Sequence, residues 1–337
     1  MNPPFRSIPL DFFGIPFGLL GLGDCWLVAA TFGLAPVEIG RGLVACAAAV
    51  WVVVGAAHLL GMRANRISLA SELADPSAGP FASLAVITPM LAAADALYPL
   101  SHAAGTAVVD VLIVATVVLA GWFTGQWVDR PLQLAKVHPG YFLPGVAGGF
   151  VASASAALVG QRGLAEVLFG LGLVSWLVLE SITLRRLALW PPLPAALTPT
   201  IAIEVAPAAV ATSAVFVIDG GWVDVVVRLL AGYGLLMVVA QLRLLPVYRQ
   251  LSFTPSFWAF TFPWAAVASA GLFWIGVTHP SGWHAESYAA LAAISAFIAM
   301  VTIRTVVALQ RGQLLPVSPS TTDTTLAAAP DVHPPLS

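Results

Sequence analysis

Glu204 is the sharpest chemical signal in the sequence, a carboxylate set in the apolar run PTIAIEVAPAAVA one turn before Pro207. Ionisable groups at membrane depth are costly and mark functional positions by default. Beside a narrow pore an ionised carboxylate repels anions: two unit charges about 4 Å apart interact by about 4 kcal/mol at an effective dielectric of about 20. If anions pass, Glu204 is expected to be protonated, paired with a cation or turned away. If transport is proton-coupled, Glu204 or Asp24, within the first apolar stretch, is the expected proton carrier. Thr200, Ser155 and Ser269 could offer an anion neutral hydroxyls. His138, followed by Pro139 and Gly140, could attract an anion when protonated or cap its loop.

Other chemistry finds no footing. There is no metal-ligand cluster, no phosphate loop and no nucleophile beside a recognisable base, so neither an enzyme nor a cofactor is expected. Cys25 and Cys46 lack the paired spacing of metal or redox sites. A basic, soluble face for nucleic acid is missing too. The remaining polar residues read as structural. Glu180 is expected to pair with Arg185 or Arg186, Asp224 with Arg228 at i and i+4, and His58 to hydrogen-bond between helices.

The elements that must position these residues are membrane spans. Of 337 residues 59% are hydrophobic and 9% charged, with a mean hydropathy of +0.92, which excludes the soluble globular class. A span needs about 20 apolar residues, and ten can be placed, at 13–34, 38–61, 81–100, 104–127, 140–160, 163–184, 195–217, 221–243, 256–277 and 287–309. Residues 1–311 thus read as one ten-helix transmembrane domain, and 312–337, rich in Pro, Ser and Thr, as a disordered cytoplasmic tail. No cleavable signal is evident at the N-terminus. The N-terminus and the segments after even spans hold eleven basic residues, the opposite side only Arg41, Arg162 and Arg228. By the positive-inside rule both termini are cytoplasmic. The abundance of Ala, Val and Arg, with Lys136 the single lysine, suggests a GC-rich bacterial source and hence the inner membrane.

Two regularities organise the spans. Each odd span contains a proline inside its ends, Pro16, Pro89, Pro144, Pro207 and Pro263, and no even span contains one. The odd spans also carry small residues on the proline face: Ala82, Ala85, Ala93 and Ala96; Gly140, Gly148 and Ser155; Thr200, Ala211 and Ala214. Proline frees a backbone carbonyl and kinks a helix, which a membrane tolerates where the helix is buried in protein or lines a watery cavity. The expected architecture is all-α: five helical hairpins, with kinked odd helices lining a central pore and even helices outside. In SFWAFTFPWAAVASAG, from Ser256, Ala259, Ala266 and Ser269 share a face with Phe262 at about 100° per residue. One phenyl ring in a small-residue wall reads as a plug.

HPGYFLPGVAGGFVASA from His138, PTIAIEVAPAAVA from Pro199 and SFWAFTFPWAAVASA from Ser256 resemble spans of the TehA tellurite-resistance and C4-dicarboxylate transporter family, which is related to the slow-type anion channels of plant guard cells. The resemblance covers all ten spans. It implies five quasi-symmetric hairpins around a pore, a homotrimer with one pore per subunit, and an occluding phenylalanine on span nine, a role that Phe262 fits. The expected function is an anion channel or channel-like anion transporter with a neutral lumen, taking small inorganic or organic anions in a lipid membrane. The alternative is a proton-coupled exporter of C4-dicarboxylates or tellurite-like oxyanions.

Overall fold

The computed structural model describes residues 8–129 and 134–314. Ten helices are long and apolar enough to cross a membrane: α1 (Leu10–Thr31), α2 (Val37–Asn65), α3 (Gly79–Leu97), α4 (His102–Asp129), α5 (Pro139–Leu158), α6 (Arg162–Leu189), α7 (Thr198–Asp219), α8 (Val225–Arg243), α9 (Pro255–Thr278) and α10 (Trp283–Gln310). No strand occurs among the described residues. The protein is an all-α, multi-pass membrane protein. Arg6, Arg130 and the tail from residue 315 lie outside the described residues.

The helices form two layers. Of the most apolar stretch of each odd helix, between 50 and 78% is buried, against 22 to 28% for each even helix. The odd helices close a ring by contact, α1 to α3, α3 to α5, α5 to α7, α7 to α9 and α9 back to α1. Their first turns touch around the same ring, so all five run in the same direction. Each even helix packs on the odd helix before it, outside the ring. The outer helices expose Val53, Leu60, Val118, Leu177, Leu229 and Ile303. Apolar surface of that extent is untenable in water and is what lipid tails require.

The prolines do their work differently from the expected mid-helix kinks. Every odd helix opens with a 3₁₀ turn: Leu10–Phe13, Gly79–Ser83, Pro139–Tyr141, Thr198–Val205 and Pro255–Phe260. Pro16, Pro207 and Pro263 then fall in the first turn of the α-helical segment that follows, where a missing N–H costs little. Pro144 opens a wide π turn, Leu143–Ala147. Pro89 alone of the five lies in mid-helix. The carbonyl it leaves without its helical donor, that of Ala85, accepts a hydrogen bond from Trp51 Nε1 on α2 at 3.0 Å.

Candidate functional site

Two cavities lie within the ring. The proximal one, about 240 Å³, is bounded by the first turns of the odd helices and lined by Asp11, Phe17, Phe81, Phe142, Phe150, Thr200, Ile203, Trp258 and Phe262, among others. The distal one, about 130 Å³, is lined by Asp24, Thr31, Asp95, Ser213, Ala266 and Phe273, and again by Phe262. Phe262 and Val210 belong to the walls of both. Neither lining contains a Lys, Arg or His.

Phe262 is 8% exposed, and its ring stacks on Phe17 with centroids 3.6 Å apart and planes at 16°. Two glycines bring α1 and α9 close enough for this. A Cβ at Gly18 would collide with Thr261 Oγ1, and one at Gly21 would stand 3.0 Å from Phe262 Cδ2. The expected face of α9 is in place: Ala259 lines the proximal cavity and Ala266 the distal one, on either side of Phe262. Ser269 is buried one turn further on and donates to Asp24 Oδ2 at 2.9 Å.

The other expected site residues divide. Asp24 faces the distal cavity, Thr200 the proximal one, and the Thr200 hydroxyl donates to Leu197 O at 2.6 Å. Pro207 and Pro263 line the proximal cavity, whereas Pro16, Pro89 and Pro144 line neither. Pro89 turns outward, with Ala93 and Ala96, into an apolar groove against α2 and α4. Ala93 and Ala96 of the small-residue face of α3 therefore face outer helices and not the two cavities, in keeping with the common use of such residues in membranes. Gly148 likewise faces α4, where a Cβ would meet Thr116 Cγ2 at 2.9 Å. Ser155 is buried and lines neither cavity.

Glu204 lines neither cavity and is turned away, one of the alternatives expected of it. The reason is winding: Thr198–Val205 is 3₁₀, and at 3 residues per turn side chains three apart eclipse. Thr200 and Ile203 therefore share the cavity face, with Ala206 after them. Glu204 is rotated off it, towards Glu180 on α6.

His138 is a structural cap. It is fully buried, its Nδ1 accepts from Gly140 N–H at 3.1 Å, and its Nε2 donates to Ser77 O at 3.1 Å. Burial pushes its pKa down to about 4, with Arg186 acting in the same direction and the Ser77 hydrogen bond opposing. At neutral pH the ring is uncharged, which removes it as an anion lure. The expected ion pairs also give way. Glu180 accepts from Trp176 and Tyr233, and Asp224 caps α8 by accepting from Val227 N–H at 2.9 Å. His58 does bridge segments, its Nδ1 2.7 Å from Ile8 O and its Nε2 3.1 Å from Glu72.

Sequence reasoning did not single out Phe17, Val210 or Ser213, or the cavity position of Asp11. For Phe17 a signal existed: Pro16-Phe17 on α1 inverts the order of Phe262-Pro263 on α9.

A closed ring of five parallel helices, sheathed by five that expose apolar side chains and holding two cavities, defines the class as an all-α polytopic membrane protein. The chain belongs to the voltage-dependent anion channel family, whose model matches residues 7–306. It is similar to the tellurite resistance protein TehA homolog of Haemophilus influenzae, 28% identical over 315 residues that cover 93% of this chain and 94% of that protein. The family is one of channels and transporters, and anion transport is the activity it brings.

Proposed function

We propose that the protein is an anion channel or channel-like anion transporter whose path runs through the two cavities and is occluded by Phe262. The observation that carries this is the shared wall: one buried ring bounds both cavities and is braced by Phe17. A phenyl ring at a constriction blocks ions by sterics and by dewetting. Attraction for anions comes from the backbone. The five inner helices direct their N-termini to the proximal end, where dipoles and unpaired N–H groups favour negative charge. With no fixed cation in either lining, binding is weak, which suits fast passage.

The protein sits in a bacterial inner membrane with both termini cytoplasmic and assembles as a homotrimer with one path per subunit. Its substrates are small inorganic or organic anions, with tellurite-like oxyanions among the candidates because of the relative's name. The experiment is current recording from Phe262→Ala in voltage-clamped oocytes. A rise in anion current at equal surface expression supports the gate, and unchanged current refutes it.

A second reading is favoured by one observation, the placing of Asp24 and Asp95 together in the distal cavity. Two carboxylates in an anion path suit a proton-coupled exporter of C4-dicarboxylates or oxyanions, in which protonation admits the anion. In that case Asp24→Asn abolishes uptake driven by a pH gradient in proteoliposomes. Flux that follows only the anion's electrochemical gradient, in mutant and wild type alike, rejects the coupling.

A further inference from the structure

Behind the wall of the proximal cavity, away from the path itself, two carboxyl groups face each other without a counter-cation. Glu204 on α7 is 3% exposed, and neither of its oxygens meets a hydrogen-bond donor. Opposite it, at hydrogen-bond range, stands Glu180 on α6, 9% exposed. Both Glu180 oxygens are already acceptors, one from Trp176 Nε1 at 2.8 Å and the other from the Tyr233 hydroxyl on α8. Glu180 is thus arranged as a carboxylate and lacks only a donor on the Glu204 side.

The surroundings supply no cation. The titratable groups that reach Glu204 are Glu180, Tyr233 and Tyr248, the last in the turn after α8. Helix α9 contains no titratable residue, and Tyr141, the one on α5, packs against Trp127 and His138. On α6, Arg186 donates to the carbonyls of Ala135 and Pro191, and Arg185 is exposed, as is Arg243 on α8. Asp219, the other acid of α7, accepts from Arg162. Two ionised carboxylates buried face to face without a cation repel strongly, and a single proton between them turns the repulsion into a charge-assisted hydrogen bond. The site takes a proton rather than a metal ion, since among the described residues no group of three or more metal-ligating side chains forms.

We propose that Glu204 and Glu180 form a proton-binding site behind the cavity wall, whose single bound proton sustains anion passage and whose loss at alkaline pH suppresses it. The link to passage is the turn that carries Glu204. Thr200, Ile203 and Pro207 of the same stretch line the cavity, while Gln241 Nε2 on α8 holds Ile201 O at 2.9 Å, and Tyr248 in turn donates to Gln241. Loss of the proton breaks one of the two anchors of that wall and places negative charge behind it. This functional half rests on the anion-transport reading, whereas the proton site itself does not.

The test uses purified full-length protein. Infrared difference spectra across an alkaline titration should show the carbonyl stretch of a protonated carboxyl in the wild type, absent in Glu204→Gln. In proteoliposomes, wild-type chloride or nitrate flux should fall several-fold over the pH interval in which the band disappears. Glu204→Gln, whose amide can donate to Glu180 permanently, should hold the acid-side flux at every pH. A wild-type band or pH profile that persists in Glu204→Gln overturns the proposal. Should that variant fail to fold, Glu180→Gln decides, because removing the facing charge must move the band's midpoint to lower pH, and an unmoved midpoint overturns the site. A band that titrates and vanishes as expected, with no anion flux in any protein, establishes the proton site and refutes the transport reading instead.

Discussion

The ring of Phe17 lies flat against that of Phe262, centroids 3.6 Å apart, so a residue common to the walls of both cavities is supported on one face by a second phenyl group from the neighbouring helix. Phe17 comes from α1, the first helix of the ring, and Phe262 from α9, the last. The stack therefore joins the first helix of the chain to the ninth.

Phe17→Ala should loosen the plug without deleting it. Anion current in oocytes is expected to rise above wild type but to remain below that of Phe262→Ala, and Phe17→Leu should lie closer to wild type. Current equal to wild type in Phe17→Ala, at matched surface expression, would remove Phe17 from the gate.

Pro89 and Trp51 form a coupled pair through the carbonyl of Ala85. Trp51→Phe leaves that carbonyl without its donor, and an unsatisfied buried acceptor costs about 1–3 kcal/mol. In Pro89→Ala the restored N–H can bond Ala85 O, so the double mutant should melt closer to wild type than Trp51→Phe does. Additive losses in detergent-solubilised protein would contradict this, since contacting partners should couple.

The buried His138 makes stability pH-dependent in one direction only. Its folded-state pKa of about 4 lies below the ordinary value of 6.5. Between those two values the unfolded chain binds a proton that the folded protein does not, so stability falls as pH drops through the interval and is insensitive to this group above it. The loss approaches about 3 kcal/mol at the acid end. Thermal melts at pH values above and below the interval should show it, and His138→Gln should reduce the acid dependence. An equal acid dependence in the variant would assign the effect elsewhere.

How far the molecule could be read from its sequence depended on which physical signal carried each feature. Ten spans are legible because a bilayer demands long apolar runs. The two layers were foreshadowed by the alternation of Pro16, Pro89, Pro144, Pro207 and Pro263 with proline-free helices, although most of these prolines start α-helical or wide turns and only Pro89 interrupts a helix. Phe262 was visible because a bulky ring stands out in a small-residue face of regular α-helix. That Glu204 is the alternative turned away from the cavities depends on Thr198–Val205 winding as 3₁₀, which the apolar run does not reveal. Ala93 and Ala96 were misread, since small residues serve helix packing and cavity walls alike. The pairings of Asp24 with Asp95 and of Glu180 with Glu204 join different helices, and nothing in one sequence marks such partners.

The most direct test of the occluded path is the anion current of Phe262→Ala, recorded under voltage clamp with reversal potentials in mixed anions and normalised to surface expression. A current well above wild type, with a reversal potential that follows the anion gradient, is the expected result. A current no different from wild type, or one that follows the cation gradient, would contradict it.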